Sequence, residues 1–140
     1  METKLYRIFF SLMIVMLTAC TNATSDKPLR ITLKEDSKLK YEDVAKLASK
    51  YLSKSGYKCE IVPYYNHELE CKKILNKWPL HNRYAKIKLQ RPNKIHPYYR
   101  LIATRWDEGI IPNELLADSY VNDDIHKFCL MIKREKIANC

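Results

Sequence analysis

The chain has 140 residues, of which 46% are hydrophobic and 29% charged, and a formal net charge of +9. That length fits one domain with a single core. Its two glycines, Gly56 and Gly109, exclude a glycine-rich phosphate loop, and the positive charge favours anionic partners.

Lys4 and Arg7 open the chain, followed by an apolar run from Ile8 to Met16. A spanning helix needs about 20 apolar residues, so this run is short for a membrane span. It has the layout of a secretory signal: charged start, apolar centre, small residues before a cut. Leu17-Thr18-Ala19-Cys20 resembles the lipobox of bacterial lipoproteins. The resemblance ends at residue 20 and carries no information on the domain behind it. It implies cleavage before Cys20, lipid on that cysteine, and anchoring in the cell envelope without a protein span. More than one acyl chain gives stable anchoring where a single chain is marginal. Thr21 stands where an aspartate is associated, in that class, with the inner membrane. The outer membrane is therefore favoured if the cell is Gram-negative. The plain alternatives are an ordinary secretory signal with a structural cysteine, or a short uncleaved anchor.

Removing the first 19 of 140 residues leaves 121, and losing Glu2, Lys4 and Arg7 lowers the charge from +9 to +8. Cys59, Cys71, Cys129 and Cys140 then remain, and an even number in an exported domain reads as two disulfides. Sequence alone does not fix the pairing; the local pairs Cys59–Cys71 and Cys129–Cys140 are the expectation. A metal site using His67 with Cys71 and His126 with Cys129 is the alternative, without any CxxC pair to support it.

Residues 20–28 read as the lipidated cysteine and a flexible polar tether. Leu29, Ile31 and Leu33 alternate with Arg30 and Thr32, as in a short strand. From Tyr41 to Ser55, apolar residues Tyr41, Val44, Leu47, Ala48, Tyr51 and Leu52 recur at helical spacing. Lys46, Lys50 and Lys54 line another face, and Gly56 suits the position after the helix. Tyr57 to Ile74 reads as a hairpin in which Cys59 faces Cys71 and Ile61 faces Leu69. The turn falls at Tyr64-Tyr65-Asn66, with Asn66 as the left-handed residue. On the other face Lys58 meets Lys72 and Glu60 meets Glu70, with complementary diagonals Glu60–Lys72 and Lys58–Glu70. A helix from Glu68 to Lys77 remains an alternative. Trp78 to Asn82 interrupts the pattern. Ala85, Ile87 and Leu89 then alternate with Tyr84, Lys86, Lys88 and Gln90. Tyr98 to Trp106 forms another strand with Tyr99, Leu101 and Ala103 inward. A last helix is expected from Asn113, as cap, to about Arg134, although Phe128, Leu130 and Ile132 also alternate like a strand.

From Cys71 to Trp106 there is no Asp or Glu, but ten Lys or Arg residues interleaved with aromatics. From Asp107 to Ile125 the sign reverses. If the hairpins share one sheet, Lys86, Lys88 and Arg100 project from its outer face with Tyr84 and Tyr98. Rings stack on bases or sugars and cations hold phosphates or carboxylates, so this face is a candidate platform for an anionic polymer. The competing reading is neutralisation between the blocks, with lysines as routine protection of a wet sheet face. Enzyme signals are weak. There is no GxSxG or HExxH, and the pairs Asp107-Glu108 and Asp123-Asp124 diverge in either a strand or a helix. His67, His81, His96 and His126 read as structural or exposed.

The sequence thus predicts an α+β domain over residues 29–140. A small antiparallel sheet of about four strands carries an N-terminal and a C-terminal helix, stapled by two disulfides. The expected role is a non-catalytic, lipid-anchored binding module for an anionic envelope component, with no cofactor, no metal, and nucleic acid disfavoured outside the cytoplasm. The alternative is an envelope inhibitor or immunity-type lipoprotein that blocks a protein toxin or hydrolase. Oligomeric state is not readable.

Overall fold

A computed structural model describes residues 23–34, 37–63, 67–79, 81–109 and 120–140. The signal, the lipobox and Cys20 lie outside the described residues, as does the turn at 64–66. The described chain is an antiparallel sheet of seven strands with two helices.

Strand β1 (Ala23–Ser25) and strand β2 (Leu29–Leu33) come first. Helix α1 (Tyr41–Lys54) follows, then β3 (Lys58–Val62), β4 (Glu68–Trp78), β5 (His81–Gln90) and β6 (Tyr99–Gly109). Helix α2 (Asp123–Arg134) and a two-residue strand, β7 (Ala138–Asn139), end the chain. The sheet order is β3-β4-β5-β6-β2-β7, with β1 also on β6. Strand β6 is long enough to pair β2 along Tyr99–Leu101 and β1 along Thr104–Trp106. Between them the Asp26 amide donates to the Ala103 carbonyl at 2.9 Å, so the two short strands act as one broken strand.

Alternation decides which face is buried. Leu69, Cys71, Ala85, Ile87, Leu89, Leu101 and Ala103 point inward and are at most 3% exposed. Val44, Ala48 and Leu52 of α1 and Ile125, Phe128 and Ile132 of α2 complete that core. Burying each large apolar side chain stabilises the fold by about 1.5–3 kcal/mol. Helix α2 resolves the ambiguity at residues 128–132: Phe128 and Ile132 are buried while Leu130 is 67% exposed, a helical pattern.

Both helices end in the same way. After α1 the Tyr57 amide donates to Leu52 and the Gly56 amide to Ser53, with Gly56 at φ +88°. After α2 the Ile137 amide donates to Ile132 and the Lys136 amide to Lys133. These paired bonds satisfy carbonyls that a helix end leaves open. The second cap directs the chain back to β2, where Ala138 pairs Leu33, and the Cys129–Cys140 disulfide fixes the return.

The register of the β3–β4 hairpin is as expected: Cys59 opposite Cys71, Ile61 opposite Leu69, Glu60 opposite Glu70 and Lys58 opposite Lys72. The disulfides are Cys59–Cys71 and Cys129–Cys140.

Other expectations need correction. The sheet has seven strands rather than about four, because the three residues of β1 and two of β7 carry no apolar period to betray them. Residues 23–25, expected as part of the flexible tether, are paired strand. Strand β4 continues past Ile74 to Trp78 through a bulge between Ile74 and Asn76, so only residues 79 and 80 separate it from β5. Helix α2 is capped by Asn122, whose side chain accepts from the amides of Asp124 and Ile125. Residues 120–122 are not helical, so no single helix runs from Asn113, which itself lies outside the described residues. Asn66, expected as the left-handed residue of the first hairpin, lies outside the described residues; the next residue, His67, is at φ +54°.

Candidate functional site

Both helices lie on one face of the sheet. The other face, carrying Tyr84, Lys86, Lys88 and Arg100, is the side opposite the buried Ala85, Ile87, Leu89 and Leu101. Cross-strand register arranges it in rows. Ile74, Tyr84, Trp106 and Ala23 form one line across β4, β5, β6 and β1. The next line is Lys72, Lys86, Thr104 and Ser25, where the Ser25 and Thr104 hydroxyls lie 3.1 Å apart. Glu70, Lys88 and Ile102 follow. Gln90, Arg100 and Arg30 make the last line.

Tyr84 stacks on Trp106 with centroids 5.1 Å apart and planes 16° apart. The Lys86 ammonium lies 5.7 Å from the Trp106 centroid, and the indole N–H donates to Glu108 at 2.8 Å. Tyr98, just before β6, lies under the Arg30 guanidinium at 4.7 Å, and its hydroxyl is 3.2 Å from His96 Nδ1. Arg100 sits directly across from Arg30. A ring beneath a cation adds attraction without neutralising it.

Carboxylates also occupy this face. Lys88 pairs with Glu68 at 3.0 Å, Lys72 with Glu70 at 2.9 Å, and Lys86 reaches Glu70 at 4.0 Å. The Lys72–Glu70 contact joins alternate residues of one strand, and the expected diagonal partner Glu60 adds a smaller attraction. Glu70 raises the Lys72 pKa above its ordinary value by accepting a hydrogen bond from the ammonium. These pairs have a vertical order. The Glu70 and Glu68 side chains are 13% and 10% exposed, against 51%, 37% and 23% for Lys72, Lys86 and Lys88. The acids sit low between the strands while the longer amines rise above them. A ligand approaching the face therefore meets cations and rings first.

The five expected binding residues thus share one region, but in two clusters. Tyr84 and Lys86 group with Trp106; Arg100 and Tyr98 group with Arg30; Lys88 lies between and is tied to the buried Glu68. Ile74, Trp106 and Arg30 were not singled out as site residues by the sequence. Their membership depends on strand register.

Two cavities lie elsewhere. One of about 350 Å³ lies between α1 and the β3–β4 hairpin, lined by Tyr41, Glu42, Lys46, Glu60, His67 and Arg91 among others. Arg91 crosses its rim, 3.8 Å from the Tyr41 ring centroid and 2.9 Å from Glu42, which accepts its hydrogen bond and whose pKa is lowered by it. A second, of about 280 Å³, is lined by Ile31, Leu33, Leu39, Val44, Leu47, Ile132 and Ile137. Neither brings a nucleophile to a base.

The histidine and carboxylate that do meet are His126 and Asp26, 3.2 Å apart. Asp26 also accepts from the amides of Lys27 and Asn122, and the Asn122 side-chain amide donates to the hydroxyls of Tyr57 and Tyr120. This cluster ties β1 to the start of α2. Burial raises the pKa of Tyr57 and of Tyr120, keeping both phenols neutral. Asp107 pairs with Arg83 through two contacts, at 2.7 and 3.3 Å, while Glu108 bonds Trp106; these adjacent acids diverge as strand neighbours do. The cysteines of the metal alternative are both in disulfides and have no thiolate to offer. Among the described residues no cluster is placed to hold a metal ion, and no helix is long and apolar enough to cross a membrane.

Comparison with protein-family models, with curated proteins and with solved structures finds no match in any of the three.

Proposed function

We propose that this chain is a lipid-anchored cell-envelope module that binds an anionic envelope component through the uncovered face of its sheet, without catalysis. One observation carries this reading: on that face lysines stand above their carboxylate partners, and Arg30 and Arg100 lie side by side. Like charges facing each other across a strand pair are unfavourable in isolation. Among the described residues neither arginine has a carboxylate partner, so an incoming anion relieves that repulsion. The stacked Tyr84 and Trp106 supply flat apolar surface beside the cations, suited to a sugar ring or the glycerol region of a lipid. The lipobox-like Leu17-Thr18-Ala19-Cys20 supports the address, and two disulfides suit an oxidising compartment.

The test is retention of the chain beginning at Thr21, which lacks the acylated cysteine, by envelope fragments at low and high salt. Binding through this face weakens steeply with salt. The double variant Lys86→Glu, Arg100→Glu is expected to lose most of that retention. Lys88 is left in place because it holds Glu68. Retention by the double variant equal to the native protein's, at every salt concentration, would falsify the proposal.

A further inference from the structure

We infer that the Trp106 end of this face rests on the headgroup layer of the very bilayer that anchors the chain, which leaves Arg30 and Arg100, six residues along the strands, open to another anion. On this inference the domain lies with the Ile74–Tyr84–Trp106–Ala23 line on that surface. The inference rests on the lipid-anchor reading above and adds the partner and the orientation.

The argument begins at β1. Ala23 is fixed to Trp106 by strand pairing, and only three residue steps separate it from Cys20. Extended chain covers at most about 3.6 Å per residue, so Ala23 lies within about 11 Å of an acylated Cys20, whatever path the intervening residues take. A tether of that reach holds this end of the sheet at the headgroups. The line opposite Ala23 is the apolar and aromatic one. Ile74 is 56% exposed and its neighbour Leu75 42%; other exposed apolar side chains, Ile61, Ile95, Val121 and Leu130, lie away from this line. Tryptophan and tyrosine prefer the boundary between headgroups and acyl chains. Lys72 and Lys86 flank the line on one side, and Lys77 extends beyond it. Each cation near an anionic surface contributes about 1 kcal/mol.

The opposite orientation is costlier. Turning the domain so that β6 led away from its Trp106 end into the bilayer would submerge about 24 Å of strand. That stretch carries Arg100 and borders Arg30. Turning the helices downward would leave Ile74, Leu75, Tyr84 and Trp106 in water. Glu108, which accepts the Trp106 indole N–H, lies just beyond the line, on the side away from Lys86 and Arg100. Its charge limits how deep the indole settles.

The experiment uses the intact acylated protein in vesicles of phosphatidylethanolamine and phosphatidylglycerol. Trp78→Phe leaves Trp106 as the sole tryptophan. Lipids brominated near the glycerol end of the acyl chain are expected to quench most of its emission, and emission is expected to shift to the blue relative to detergent. The unaltered protein provides a second reading through lysine acetylation. On vesicles Lys72 and Lys86 are expected to lose reactivity relative to detergent, while Lys46 and Lys50, on the far side, keep theirs. Acylated protein with unquenched Trp106 and fully reactive Lys72 and Lys86 overturns this inference alone; the face then serves a wall polymer or a protein. A chain that carries no acyl group overturns the anchor reading and this one together.

Discussion

Tyr41 is the first residue of α1, and its hydroxyl ends inside the sheet. It donates to the Leu89 carbonyl at 2.7 Å and accepts from the Leu69 amide at 2.6 Å. The helical period shows that Tyr41 faces the core; it does not show that the hydroxyl bridges two strands. Burial lifts its pKa from 10.0 to about 12, with the Leu69 bond opposing the shift. A neutral phenol is therefore worth more folded than unfolded. That stability is fully present below pH 10.0 and is lost as pH rises toward about 12. Tyr41→Phe is expected to lose about 1–3 kcal/mol near neutrality, through the unsatisfied strand groups. It is also expected to flatten the alkaline limb of stability by one proton, since Tyr57 continues to titrate. Denaturant midpoints measured across alkaline pH check both, and an equally steep limb in the variant would contradict the assignment. Lys136 presents the reverse case of legibility. It holds a left-handed φ of +57° at the end of α2, where glycine would cost least. A lysine there gives no sequence signal that the helix stops.

At the scale of elements, the β3–β4 hairpin was readable to the residue because two cysteines and alternation both specify one register. A slip by one residue would separate Cys59 from Cys71 and turn Leu69 to solvent. Closing a loop of separation 12 stabilises by about 3 kcal/mol in the chain-entropy model. Replacing both Cys59 and Cys71 by Ser is therefore expected to lower unfolding free energy by about 3 kcal/mol with the hairpin register retained. Urea melts and amide exchange measure the two parts separately. A loss well under 1 kcal/mol would mean that the reduced chain is already held in this register. Strands β1 and β7 were not readable, and the reason is physical. Ala23-Thr24-Ser25 and Ala138-Asn139 have no alternation of apolar side chains, and each exists because a longer neighbour offers an open edge. Helix α2 was placed correctly in its second half, where Ile125, Phe128 and Ile132 repeat. Its start was misread because Asn113 and Asn122 are equally good caps by type; the cap is Asn122, held by Asp26, Tyr57 and Tyr120.

For the whole molecule, the candidate face was legible in part. Alternation gave the inward and outward sets of β5 and β6, so Tyr84, Lys86, Lys88 and Arg100 were assigned to one side. What sequence did not supply was height and register: Glu68 and Glu70 lie beneath the lysines, and Ile74, Trp106 and Ala23 align with Tyr84. The proposed relation of the domain to a membrane rests on one short covalent distance, from Cys20 to β1. The most direct measurement is the intact mass of the protein recovered from its native membranes, with fragmentation of its first peptide. The expected result is a first peptide beginning at Cys20 and carrying a diacylglyceryl thioether with an acylated amine. A chain still beginning at Met1, or one beginning at Cys20 with a bare thiol and amine, would contradict the account.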